Sequence, residues 1–371
     1  MAVSIFLQPN QYSISYVRSP VVYRYAGLTS SYSYIFNLYV STGTTASLTT
    51  IYTSTQRKSD TNNGLTVDVS RLLQNYIKNN NFTYTTENVV WFKAALLEYT
   101  NDTSLVGTTT SNVGLATLGY TDYPTSTGSF NITEQSTAVD YALNSIPVNT
   151  PYYIPTDASY TFVWRYNSTT TYTIVYKNAA ESANTTIGPT SFSAKTNARD
   201  EAKQIACGYA DLSSISLRYP INLTIGSNTY TFYPEPFGKN TTQTLKFLNK
   251  WGVWDYFYCV GRKNTEIDIN YETYKYMNVN YSSMSYQPLE GLYKKSFIQG
   301  KNRIILNTGW LDENKNQKLE EMLMSEYVIL NGTTPVIITD KNMKYLTNQY
   351  DKMINYTLTL EEAFDTINNV I

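Results

Sequence analysis

Ser31-Tyr32-Ser33-Tyr34-Ile35-Phe36-Asn37-Leu38-Tyr39-Val40 is the stretch on which the fold turns. Tyr32, Tyr34, Phe36, Leu38 and Val40 recur at every second position. A period of two lines them along one face of an extended chain, which is the mark of a half-buried strand. The polar run from Ser41 to Ala46 predicts a turn, and Leu48-Thr49-Thr50-Ile51-Tyr52 predicts the returning strand. Further along, Val89-Val90-Trp91-Phe92-Lys93-Ala94-Ala95-Leu96-Leu97-Glu98-Tyr99 reads as a strand buried on both faces. Closely spaced strands and turn signals predict a β-sandwich. One helix interrupts them. In Asp68-Val69-Ser70-Arg71-Leu72-Leu73-Gln74-Asn75-Tyr76-Ile77 the apolar positions 69, 72, 73, 76 and 77 form an amphipathic stripe. Asp68 is placed to cap it, and the helix is expected to plug one end of the sandwich core.

Residues 121–158 are rich in Pro, Ser, Thr, Asn and Gly, so the first domain is expected to end there. Tyr160-Thr161-Phe162-Val163-Trp164-Arg165-Tyr166 and Tyr172-Thr173-Ile174-Val175-Tyr176 read as a hairpin whose layout echoes residues 31–52. That suggests a second sandwich of related design. Ile221–Ile225 and Thr229–Tyr233, joined by Gly226-Ser227-Asn228, predict another hairpin. Two strands then meet at an Asn-Lys-Trp-Gly corner, residues 249–252. The last hundred residues look different. A helix over 314–324 presents Leu319, Met322 and Leu323, and Asn331-Gly332 joins two apolar strands. A strand at Tyr356–Leu360 and an amphipathic end at Ala363, Phe364 and Ile367 close the chain.

Composition limits the chemistry. Histidine is absent, which removes Ser-His-Asp triads, Cys-His pairs and His-ligated metals. Lys+Arg is 28 and Asp+Glu 29, so neither a polybasic nor an acidic surface dominates. Aromatics make up 15%, carried by 36 tyrosines, while charged residues are also only 15%. Many aromatics and few charges argue against disorder. Cys207 and Cys259 are expected to be buried thiols, although sequence leaves a disulfide between them open. The start, Met1-Ala2-Val3-Ser4-Ile5, lacks the pattern of a signal peptide, and no apolar run is long enough to span a membrane. Synthesis in a cytoplasm without a cleaved leader is the expectation. Asn-x-Ser/Thr triplets such as Asn131-Ile132-Thr133 and Asn167-Ser168-Thr169 are attributed to the abundance of these residues rather than to glycans.

No phosphate loop or nucleophile elbow appears; Gly238-Lys239 lacks the upstream glycine of a P-loop. Asp312-Glu313-Asn314-Lys315-Asn316 superficially resembles a calcium loop, but Gln317 and Leu323 stand where Gly and Glu are needed. Glu266, Asp268 and Glu272 alternate along a predicted strand and are the carboxylates available for histidine-free hydrolysis. Such chemistry needs one of them in an apolar pocket, and a solvated strand face is the expected alternative. The chain is therefore expected to have no catalytic, cofactor-binding or metal-binding residues and not to be an enzyme. Tyrosines without a basic stripe disfavour nucleic acid; core packing and subunit interfaces are their expected use.

Three segments carry a resemblance. Val67-Asp68-Val69-Ser70-Arg71-Leu72-Leu73-Gln74-Asn75-Tyr76 is similar to the D-V-S-R-h-h-x-N-Y segment of tail-associated structural proteins in phages of Bacteroidetes, including crAss-like phages. Leu245-Lys246-Phe247-Leu248-Asn249-Lys250-Trp251-Gly252-Val253-Trp254-Asp255-Tyr256-Phe257 resembles their h-x-F-L-N-x-x-G-x-W-D-x-F corner. Gly309-Trp310-Leu311, Ser325-Glu326-Tyr327-Val328 and Pro335-Val336-Ile337-Ile338-Thr339-Asp340 resemble their ending. The resemblance implies a virion protein of the neck or tail that forms a ring, commonly twelve- or six-fold, around the DNA channel. Assembly would take place in the bacterial host cytoplasm, with portal, tail and other ring proteins as neighbours and no membrane or sequence-specific nucleic acid. The expected fold is mainly β, with tandem Ig-like/β-sandwich domains and a few short helices. Residues 1–145 would be an Ig-like sandwich with a helix at 68–79, residues 146–260 a second sandwich, and residues 261–371 an α+β module packed with it. The rival reading is a carbohydrate- or receptor-binding tail module using Tyr and Trp surfaces.

Overall fold

A computed structural model describes residues 3–366 except 10–13, 30–31, 43–46, 58–63, 78–88, 101–102, 121–140, 147, 149, 167–168, 193–201, 236–239, 277–278, 281, 287, 313–314 and 341–353. The chain is mainly β, with 61% strand, 7% helix and two α-helices among the described residues. None of these helices is long and apolar enough to cross a membrane. Two compact units form: Met1–Pro236 with Leu248–Asp255, and Phe237–Phe247 with Tyr256–Ile371.

The first unit contains two sandwiches. In the first, a small sheet of Ser4–Leu7, Val22–Ala26 and Gly64–Asp68 faces a six-stranded sheet. The larger sheet runs Ile14–Tyr16, Gly114–Thr117, Val89–Thr100, Tyr32–Ser41, Thr49–Arg57, with Ser104–Thr110 also paired to Val89–Thr100. The alternation over 32–40 is realised as expected: Tyr34, Phe36, Leu38 and Val40 enter one core with Tyr23 and Tyr25 of the small sheet. Tyr25 meets Phe36 edge-on at 6.3 Å, an arrangement that suits the ring quadrupoles.

The helix covers Ser70–Gln74, which is shorter than 68–79. Tyr76 and Ile77 donate to Leu73 and Gln74, so the last turn tightens to i→i−3 bonding. Residues 78 and 79 lie outside the described residues. Val69, Leu73 and Ile77 still enter the core. Asp68 Oδ1 accepts from the N–H of Ser70 at 3.0 Å and of Val21 at 3.1 Å, so it ties the helix start to the neighbouring chain.

In the second sandwich, Tyr141–Ala142, Thr161–Arg165 and Ala202–Ala206 form the small sheet. The large sheet runs Tyr152–Pro155, Asn228–Glu235, Ile221–Ile225, Thr170–Lys177, Asn184–Phe192. The two sandwiches share one path. In each, the first, third and sixth strands form the small sheet, and the second strand lies parallel to the last. This is an Ig-like arrangement with the extra edge strand of the variable type.

The expected hairpin of 160–166 with 172–176 is corrected by this topology. Thr161–Arg165 belongs to the small sheet and Thr170–Lys177 to the large one, so the chain crosses the core there. Phe162 packs on Tyr230 across the sandwich at 4.6 Å. An apolar period of two shows that a strand is half-buried; it does not show which sheet the strand joins. The hairpin that corresponds to 31–52 is Thr170–Lys177 with Asn184–Phe192.

The second unit is built on a seven-stranded antiparallel sheet. Its order is Trp254–Cys259, Gln243–Leu248, Val328–Leu330, Thr334–Ile338, Ile354–Glu362, Tyr293–Leu311, Lys263–Lys275. The strands flanking the corner thus hydrogen-bond into this sheet, Leu245 opposite Leu330 and Phe247 opposite Val328, where a boundary at 260 assigned them to the second sandwich. The helix Asn316–Leu323 lays Leu319 and Met322 against Leu245, Phe247, Leu306, Leu358 and Leu360. Asn331 and Gly332 take φ of 51° and 73° between their two strands, the left-handed pair that the Asn-Gly signal predicts.

Candidate interaction surface

The corner is a buried polar knot in the first unit. Asn249 is fully buried. Its Nδ2 donates to the Leu143 carbonyl at 2.7 Å, and its Oδ1 accepts from the N–H of Trp251 at 3.0 Å and of Val253 at 3.2 Å. Gly252 takes φ +76° and approaches the chain so closely that a Cβ would lie 2.7 Å from Thr117 Oγ1 and 2.9 Å from Gly119 N. Trp251 packs on Tyr16 at 5.7 Å, and Tyr120 N–H donates to the Lys250 carbonyl at 2.8 Å. Asp255, also buried, accepts from Tyr160 Oη and from Ser145 N–H, both at 3.4 Å. The corner therefore joins the first sandwich, through Tyr16 and 117–120, to the second, through Leu143 and Tyr160. This is a structural role.

The carboxylates Glu266, Asp268 and Glu272 lie on Lys263–Lys275, whose thirteen residues are all exposed. Asp268 pairs with Arg303 at 3.1 Å, and Arg303 also reaches Glu361 at 3.5 Å. The apolar enclosure that would keep a carboxyl protonated is not around them. At the calcium-like segment, the Asp312 carbonyl accepts from Lys315 N–H at 2.9 Å and Asn316 opens a helix; Glu313 and Asn314 lie outside the described residues. No three His, Cys, Asp or Glu side chains are placed to hold a metal among the described residues. Gly238-Lys239, Asn131-Ile132-Thr133 and Asn167-Ser168 also lie outside them.

Both cysteines are free and buried. Burial pushes the Cys259 thiol up to about 12 and raises Cys207 as well. The tyrosines divide. Tyr23, Tyr25, Tyr34, Tyr160 and Tyr209 are wholly buried. Others gather on a ribbon that sequence reasoning had noted only for its acids. Lys263–Lys275 pairs with Tyr293–Leu306, but the next strand, Ile354–Glu362, reaches only as far as Arg303. Beyond that point Thr366 N–H still donates to the Gly300 carbonyl at 2.7 Å, and further out the two strands form an arm with no third strand among the described residues.

The arm's two faces follow from the register. Thr265 lies opposite Ile304 and Lys263 opposite Leu306, so the odd-numbered residues of 263–269 continue the core-facing side. On that side Ile267 and Ile269 are 54% and 50% exposed. The signal was in the sequence: the same alternation that lines up the acids lines up Ile267, Ile269 and Tyr271 behind them, and that pattern predicts a buried face. A bulge at Asn270–Glu272, with Phe297 at φ 50°, leaves Phe297 80% exposed and Tyr293 71% exposed towards the tip. Lys295 lies over the Tyr271 ring at 4.0 Å and Lys294 over Tyr276 at 3.7 Å.

No protein-family model matches the chain, and no curated protein matches it either.

Proposed function

We propose that this chain is a structural virion protein of a tailed phage, assembling as an oligomeric ring in the neck or tail and stacking on neighbouring tail proteins around the DNA channel. Its contribution is shape and contact area rather than catalysis. The observation that carries the reading is the arm. A two-stranded ribbon is at best marginal in water, and this one, which has no third strand along its outer part among the described residues, holds Ile267, Ile269, Tyr293 and Phe297 in the open. Such a surface suits a chain whose working state is an assembly, in which repeated contacts round a closed symmetry cover it. The resemblance over 67–76, 245–257 and the pieces 309–311, 325–328 and 335–340 supports the choice of assembly.

Mass spectrometry and cryo-electron microscopy of purified particles test the proposal. The chain should be present in a fixed copy number and traceable as a ring. Particles without it would overturn the reading. The rival module, with sugars stacking on residues such as Trp310 (62% exposed), would instead show selective binding on a glycan array and sit at a tail tip.

A further inference from the structure

We propose that Asn331-Gly332 is a latent deamidation site which the folded hairpin holds shut, so that its conversion marks chains whose second-unit sheet has opened. It stands independently of the assembly reading above.

The chemistry needs only these two residues and water. The Gly332 backbone nitrogen attacks Asn331 Cγ and gives up its proton. The Cγ–Nδ2 bond breaks, ammonia leaves, and a five-membered succinimide closes. Water then opens the ring. Opening at Cγ yields aspartate; opening at the main-chain carbonyl yields isoaspartate, whose chain runs through Cγ. Nothing is oxidised or reduced. Glycine is the neighbour that best permits the attack, because it puts no Cβ beside the nucleophile.

The closed hairpin opposes each part of this reaction. Asn331 and Gly332 hold φ of 51° and 73°, and Thr333 N–H donates to the Leu330 carbonyl at 3.2 Å across the turn. Ring closure has to swing the Gly332 nitrogen about the Cα–C bond into line with Asn331 Cβ, and the left-handed turn holds it away from there. The carboxamide is fastened at both ends to the strand Gln243–Leu248: Oδ1 accepts from Thr244 N–H at 2.9 Å, and Nδ2 donates to Gln243 Oε1 at 3.0 Å. Asn331 N–H also donates to the Thr244 carbonyl at 2.7 Å, one residue beyond the pairing of Leu245 with Leu330. Opening the hairpin releases all of these bonds together. Asn331 is exposed, so water reaches it and the bonding alone protects it.

The product fits the closed sheet poorly. Aspartate sets an oxygen against Gln243 Oε1 where Nδ2 had donated. Gln243 is buried and cannot turn its amide over without giving up the bonds from Nε2 to the Thr241 and Thr242 carbonyls, at 3.2 and 3.3 Å. Isoaspartate lengthens the chain between strands that place Val328, Leu330 and Val336 in the core. A chain that has opened long enough to react therefore closes less well afterwards.

Peptide mapping by mass spectrometry tests this on the full chain, incubated at mildly alkaline pH with and without guanidinium chloride. Conversion of Asn331 should be at least about tenfold slower in the folded chain than in the denatured one. Its rate should rise in subdenaturing guanidinium in parallel with amide exchange of residues 328–336. Gln243→Ala frees Nδ2 and should speed conversion in the folded chain while leaving the denatured rate unchanged. Gly332→Ala, compared in the denatured chain alone, should slow it. Equal rates in folded and denatured wild type, or no conversion in the denatured chain, would overturn the proposal. So would a Gln243→Ala chain that converts no faster than wild type when folded, or conversion that does not follow the opening of the hairpin.

Discussion

Replacing Asn249 removes the one side chain that satisfies three backbone groups at the corner. In Asn249→Ala the Leu143 carbonyl and the Val253 N–H are left buried without a partner, and the Trp251 N–H is left partly buried. Each unsatisfied buried group costs about 1–3 kcal/mol, so the sum is about 4 kcal/mol with Trp251 at the low end. A local loss of that size speeds amide exchange about a thousandfold, at about 1.4 kcal/mol per factor of ten. Hydrogen exchange read by mass spectrometry on peptides covering 141–146 and 248–255 should show it, while peptides from 293–311 change little. Asn249→Leu is the decisive companion. It keeps the volume but makes none of the three bonds, so it should be about as damaging as alanine. If leucine restores wild-type exchange, packing holds the corner and the hydrogen-bond argument is wrong.

Gly252→Ala should also open the corner, by at least about 2 kcal/mol, because alanine at φ +76° is strained and its methyl meets Thr117 and Gly119; a melt within a degree of wild type would contradict this. Tyr209→Phe removes the hydroxyl that donates to the Tyr219 carbonyl at 2.9 Å and the Phe232 carbonyl at 3.1 Å, and should cost about 1–2 kcal/mol in a urea titration of the chain. The triple change Glu266→Gln, Asp268→Asn, Glu272→Gln should leave the melting profile within about 1 kcal/mol, since an exposed ion pair is worth little. Loss of a glycan-cleaving activity in that triple variant would overturn the non-catalytic reading. Alkaline pH should destabilise the fold. Burial holds Cys259 and Tyr230 at about 12, above their unfolded values of roughly 8.5 and 10, so their contribution is complete below those values and is lost as pH climbs to 12. Lys246, lowered by burial, acts in the opposite sense but is a single group. Cys259→Ala should flatten the decline between about pH 8.5 and 12 by about 1.4 kcal/mol per unit, as followed by urea midpoints.

The strands were legible wherever burial is one-sided. Tyr32–Val40 alternates because one face meets the Tyr23 and Tyr25 rings, and the structure buries that same set. The Asn331-Gly332 turn was legible because the left-handed conformation selects those residues. Sheet membership was not. Phe162 and Ile174 alternate alike, yet they lie in opposite sheets, since each strand needs only a core to face. Helix length was also hidden: the apolar stripe continues through Tyr76 and Ile77, but the chain there closes i→i−3 turns. The corner's polar knot escaped because Asn249 finds Leu143, a partner 106 residues away.

The segments that carry the resemblance are fold determinants. The corner is almost wholly buried, Val69 and Leu73 lie in the first core, and Val328 and Val336 lie in the second unit's core. Buried residues are constrained by the packing around them on every side, so likeness at those positions bears on architecture rather than on partners, while Trp310, Tyr327 and Ile337 of the same segments are exposed. The arm residues 263–303 fall outside all three segments. On the proposed assembly reading, the choice of neighbour would reside on surfaces of this kind, where a changed side chain costs the monomer little and alters which face it fits. On that reading, exchanging the arm with that of another protein of the proposed assembly should move the partner preference with the arm and leave the melting of this chain's Ig-like sandwiches unchanged. A chimera that keeps its original partners would place the preference elsewhere on the molecule.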